Sequence, residues 1–137
     1  MTLADLPQAV EASTRHYADM LAALARFDAE AAAVTPETLS AFAEELHERR
    51  RRVEVFDRAI AVLLPDCDVD SRLAAALERR LELMEKVRDN NQLLSDKIRG
   101  MMSVVSSELA QARGGRAAMS GYRGGSADRG SIVSGNF

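Results

Sequence analysis

From Leu73 to Val105 the chain sets Leu73, Leu77, Arg80, Met84, Val87, Asn91, Leu94, Ile98, Met101 and Val105 at spacings that alternate between four and three. Such a repeat keeps one side of a helix turned to a neighbour over many turns, and a strand cannot reproduce it. Leu81, Leu83, Leu93, Met102 and Leu109 widen this seam towards a second face. No proline follows Pro65, and Gly100 is the only glycine before Gly114. The spacing therefore predicts one helix over about 70–113, roughly 63 Å long. Asn91, on the seam, is the kind of polar residue that fixes register at a cost in stability.

Two shorter seams precede it. Leu3, Val10, Tyr17, Leu24 and Ala31 recur every seven residues, and Leu6, Ser13, Met20, Phe27 and Val34 form a second row three residues later. Only Ser13 breaks the apolar pattern. Asp5 is the expected N-cap, with Gln8 three residues on as its reciprocal partner. Thr35-Pro36-Glu37 ends this helix and opens the next: Thr35 caps, Pro36 suits the first turn, and Glu37 complements the positive helix end. The second seam is Leu39, Phe42, Leu46, Arg49, Val53, Phe56, Ile60 and Leu63, breached at Arg49 alone. Pro65 then stops the helix.

The apolar residues are chiefly Ala, Leu, Val and Met, with aromatics at 4% and no Trp. Such residues lose little side-chain freedom in a helix. The expected fold is all-α: an elongated antiparallel three-helix bundle or coiled coil with a long C-terminal helix. It fills residues 1–113, with helices at about 6–33, 37–64 and 70–113. Seven of the eight glycines lie at or after Gly114, so residues 114–137 are expected to form a disordered Gly/Arg-rich tail. Tyr122, Ile132, Val133 and Phe137 are its large apolar groups.

Little here suggests chemistry on a substrate. His16 and His47 lie on different helices without acidic partners at useful spacing. Cys67 has no neighbouring His or Cys to share a metal or form a nucleophilic pair. Asp66, Asp68 and Asp70 imitate the start of a calcium loop, but Ser71 stands where the loop requires Gly and Leu77 where it requires Glu. No enzyme activity, metal or cofactor is expected. The net charge of −3 gives no bias towards nucleic acid. Glu44, Glu45 and Glu48 precede the run Arg49–Arg52, so i,i+4 pairs such as Glu45–Arg49 and Glu48–Arg52 make it a solvated face. No apolar run approaches the roughly 20 residues of a membrane span, and no signal peptide opens the chain. Membrane insertion is not expected, and the cytoplasm is the expected compartment.

Length arithmetic then singles out the third helix. The first two helices are each about 42 Å long, so the last roughly 14 residues of the third should overhang them. That leaves Met101, Met102, Val105 and Leu109 as an apolar strip for a partner or for a second copy in a homodimer.

The segment Asn90-Asn91-Gln92-Leu93-Leu94, the helix 95–113 and the Gly-flanked Tyr122-Arg123-Gly124-Gly125 resemble the flagellar export chaperones of the FlgN family. The resemblance implies a cytoplasmic chaperone of the flagellar type III export system. It would bind unassembled hook-associated (hook–filament junction) proteins through the C-terminal helix and deliver them to the export gate and ATPase. On this chain the client-binding positions are Leu94, Ile98, Met101, Met102, Val105 and Leu109, and Tyr122 matches the position that docks on the export gate. Two other readings stand beside it: a chaperone for another flagellar client such as the filament cap, and a purely structural, self-associating coiled-coil protein.

Overall fold

The computed structural model describes residues 1–120, with side chains described through residue 115. Three helices dominate it: α1 (Leu6–Glu30), α2 (Pro36–Leu63) and α3 (Ser71–Ser120). Single 3-10 turns lie at Leu3–Asp5, Ala31–Ala33 and Leu64–Asp66. The expected tail is only partly in view, and everything from residue 121, including Tyr122, Ile132, Val133 and Phe137, lies outside the described residues.

The helix starts follow local chemistry. Thr35 Oγ1 accepts the Thr38 amide at 3.2 Å, with Pro36 in the first turn of α2. Asp70 Oδ1 accepts the Leu73 amide at 2.8 Å and so caps α3. It is one of the three aspartates whose spacing imitates the start of a calcium loop. Asp5 departs from expectation. Its carboxylate turns back to accept the Thr2 amide at 2.8 Å, because a 3-10 turn precedes α1 and moves the capped position to Thr2. Those hydrogen bonds, the backbone one first, hold the Asp5 carboxyl below its ordinary pKa.

Cross-helix pairs set the register. Ser13 and Arg26 of α1 meet Asp57 and Glu45 of α2, so residue numbers fall along α2 as they rise along α1. Ser13 and Asp28 meet Arg80 and Lys97 of α3, where both numberings rise together. The main core gathers Met20, Leu24 and Phe27 of α1, Phe42, Leu46 and Val53 of α2, and Val87, Leu94 and Ile98 of α3. Phe27 and Phe42 stack with ring centroids 4.0 Å apart. A smaller cluster of Leu6, Val10, Ile60 and Leu73 closes the other end.

α1 is the inner helix. Its buried positions include Ala9, Ala12, Ser13 and Ala23. These small side chains let α2 and α3 approach α1 closely, while the backbones of α2 and α3 keep further from each other.

Two expectations about α3 are corrected. The helix does not stop at Arg113 but continues through Gly114 and Gly115 to Ser120. A helix already nucleated gains one hydrogen bond per added residue, which offsets the poor propensity of two glycines. The overhang also begins a little later than about residue 100, where helix lengths alone put it. Lys97 Nζ lies 3.1 Å from Asp28 Oδ1, so the 3-10 turn that ends at Ala33 reaches about the level of Met102. Residues 103–120 run beyond it, a rise of about 27 Å.

Gly100 is exposed, and a methyl group built on it meets nothing within 4 Å. Close packing is therefore not its role. Gly100→Ala should raise stability by about 1 kcal/mol in urea unfolding, the difference in helix propensity. A loss of stability instead would show that the glycine serves a bend that the folded chain needs.

Candidate partner-binding surface

The six positions singled out on α3 separate into three groups. Leu94 and Ile98 are each only 3% exposed and belong to the main core. They are not free surface, because Phe27 of α1 and Leu39, Phe42 and Leu46 of α2 join them in that core. Met101 and Met102 are half-buried against the same core at its upper rim. Val105 and Leu109 are 53% and 40% exposed. They stand four residues apart on the side of the helix that, about two and three turns below Val105, buries Ile98 and Leu94. Val104 is also exposed but lies on the adjacent face. Tyr122 lies outside the described residues.

A second constellation was half visible in sequence. Ser13 and Arg80, both breaches in apolar seams, share the carboxylate of Asp57. Ser13 Oγ donates to Asp57 Oδ1 at 2.6 Å, and Tyr17 Oη donates to Asp57 Oδ2 at 2.5 Å. Arg80 Nη2 donates to Asp57 Oδ1 at 2.9 Å, and its Nε donates to Ser13 Oγ at 2.9 Å. One largely buried cluster thus joins all three helices. Burial first, and then the hydrogen bond to Asp57, push the Tyr17 phenol well above its ordinary value of 10.0.

A third breach, Arg49, lies on Glu45 together with Arg26 of α1, at 3.1 and 2.9 Å. The Arg26 hydrogen bonds, and secondarily those of Arg49, hold the Glu45 carboxyl below its ordinary value. Its contribution to stability is present above about pH 4.5 and is lost as the pH falls through the lowered folded-state value. His16 stacks on Phe56 of α2 with centroids 5.5 Å apart, a packing contact between helices.

Between α2 and α3 lies an open groove of about 410 Å³. Met20, Val53 and Val87, all buried, are among its lining residues, and Leu81 and Met84 line its α3 side. Among the described residues no group of three or more His, Cys, Asp or Glu side chains could hold a metal ion. No described helix is long and apolar enough to cross a membrane. No protein-family model, curated protein or solved structure matches the chain.

Two outcomes test the Asp57 cluster. Asp57→Ala strands the Arg80 guanidinium in a largely buried site and should cost about 3 kcal/mol or more in denaturant unfolding. A loss below about 1 kcal/mol would mean that water satisfies Arg80. Tyr17 holds its proton more tightly folded than unfolded. Its contribution is therefore complete below about pH 10 and is lost as the pH rises through the raised folded-state value. In a Tyr122→Phe variant, tyrosinate absorbance should appear only well above pH 10, together with loss of helical circular dichroism. Ionisation at an ordinary pH in a fully helical protein would contradict the buried hydrogen bond.

Proposed function

We propose that the chain is a cytoplasmic chaperone of the flagellar type III export kind, an elongated antiparallel three-helix bundle that binds an unassembled hook-associated protein with the free end of α3. The observation that carries this reading is the reach of α3: it leaves the bundle at about residue 102 with Val105 and Leu109 uncovered. The resemblance of residues 90–113 and 122–125 to the FlgN family supplies the client class. The same reading makes the export gate and ATPase the destination, with Tyr122 the residue for the gate.

The chemistry is helix-to-helix pairing. A subunit segment that forms a coiled coil after assembly exposes an apolar stripe while it is a monomer. The free end of α3 covers such a stripe as an amphipathic helix in an open groove. Val105 and Leu109 each contribute about 1.5–3 kcal/mol on full burial, before the losses of association. Met101 and Met102, unbranched and adaptable, let the junction between core and client accommodate different side chains. Leu94 and Ile98 serve as the anchor of the helix and not as client contacts.

The test is co-purification of a hook-associated client with the full chain and with a Val105→Glu, Leu109→Glu variant. Client capture should be lost, while unfolding stability stays within about 0.5 kcal/mol, as for exposed positions. Undiminished capture of the client by the variant would sink the proposal. Unfolding of the variant would show that the two residues belong to the core.

A further inference from the structure

The groove between α2 and α3 carries an ordered charge pattern. Asp57 of α2 meets Arg80 of α3, and numbering falls along one helix as it rises along the other. Stepping up from that pair makes Arg50 level with Arg88 to within one residue, and Glu54 level with Glu85 to within two. All four line the groove. Like charges thus face each other across it, a basic pair at one level and an acidic pair about one helical turn away. Asp57 itself is neutralised by Arg80 and the two hydroxyls. Like charges at one level do not zip the two helices together, in keeping with the separation of their backbones.

We propose that this groove is the face on which two copies of the chain pair. A two-fold axis that crosses the groove between the two charged levels exchanges them. Arg50 and Arg88 of one copy then meet Glu54 and Glu85 of the second copy, and the reverse holds at the other level. This is the self-complementary pattern that a two-fold interface requires, because the same patch must serve both sides. Met84, at the acidic level, and Leu81, 54% exposed on the groove wall about one turn beyond it, add apolar contact at the edge of the charged patch. Two of these charges pair locally on the exposed surface: Glu54 with Arg58 at 3.3 Å, and Arg88 with Asp89 at 3.6 Å. Ion pairs of that kind are worth little and exchange readily. The pairing face is remote from Val105 and Leu109 and does not depend on the export reading.

The experiment is light scattering coupled to size exclusion on the full chain at low salt, with two charge-reversed variants. One carries Arg50→Glu and Arg88→Glu, the other Glu54→Arg and Glu85→Arg. The wild type should run at twice the chain mass and each variant at the single-chain mass. An equimolar mixture of the variants should return to twice the mass, because all-acidic and all-basic grooves again match. A wild type at the single-chain mass overturns the proposal, as do variants that remain dimeric, since the copies then meet elsewhere. Failure of the mixed variants to pair, with helical circular dichroism intact, also overturns it. Should a variant lose its helical spectrum, Leu81→Asp at a half-exposed position decides the question: a helical monomer supports the face and a dimer removes it.

Discussion

The carboxylate of Asp57 is the point on which the three helices agree. It receives Ser13 and Tyr17 from α1 and Arg80 from α3, and together with the Arg80–Ser13 bond it ties all three elements through directed bonds. Apolar heptads are nearly indifferent to a slip of one repeat, since one Leu replaces another. The Asp57 cluster is not indifferent. Moving α2 by one turn carries the carboxylate about 5.4 Å from all its donors and leaves a buried guanidinium without a counter-charge. A well-packed apolar cluster at this place could be equally stable, so the physical consequence of the polar one is a single register. Every later feature depends on that register: where the core ends on α3, and which charges face across the groove.

The seams in the sequence locate the helices because period and packing face are the same information. They also mark Ser13, Arg49, Arg80 and Asn91 as departures. What they do not carry is the identity of the neighbour that resolves each departure. Asp57 lies between Phe56 and Arg58 with nothing in its spacing to distinguish it, yet it is the residue that Ser13 and Arg80 need. Glu45 was legible as an i,i+4 partner of Arg49 but not as the carboxylate that Arg26 grips from α1 with two hydrogen bonds, at 2.9 and 3.0 Å. The same limit explains Leu94 and Ile98. A seam looks identical where it is covered and where it is bare, and only the pairing of Asp28 with Lys97 fixes the level at which cover stops. Asn91 remains a cost. It is buried, and its Oδ1 has no hydrogen-bond partner among the described residues, a deficit of about 1–3 kcal/mol that the surrounding core offsets.

The shape of the bundle follows from the unequal sizes of its inward residues. α1 presents Ala9, Ala12, Ser13 and Ala23 among its buried positions, whereas α2 presents Leu39, Phe42, Leu46, Val53 and Ile60. Small residues bring helix axes together, and large ones hold them apart. Placing the small residues on the inner helix draws both neighbours onto it and leaves α2 and α3 less closely joined. A groove on that side is thus a consequence of composition, and the residues at its rim are free to be chosen for charge.

The distal part of α3 obeys a different balance. Beyond Met102 it has no neighbouring helix among the described residues, and Gly114 and Gly115 weaken it further, so its helicity rests on propagation from a stem fixed in the core. Such a segment stays in phase with the stem. Val105 and Leu109 therefore project along the line already occupied by Leu94 and Ile98, not at an arbitrary angle. A helix that binds there continues the layer that α1 and α2 begin, with Met101 and Met102 as the first contacts it meets. Association then extends an existing core instead of nucleating a new one. The stem has already fixed the orientation of the binding face before the partner arrives, which lowers the ordering cost of binding.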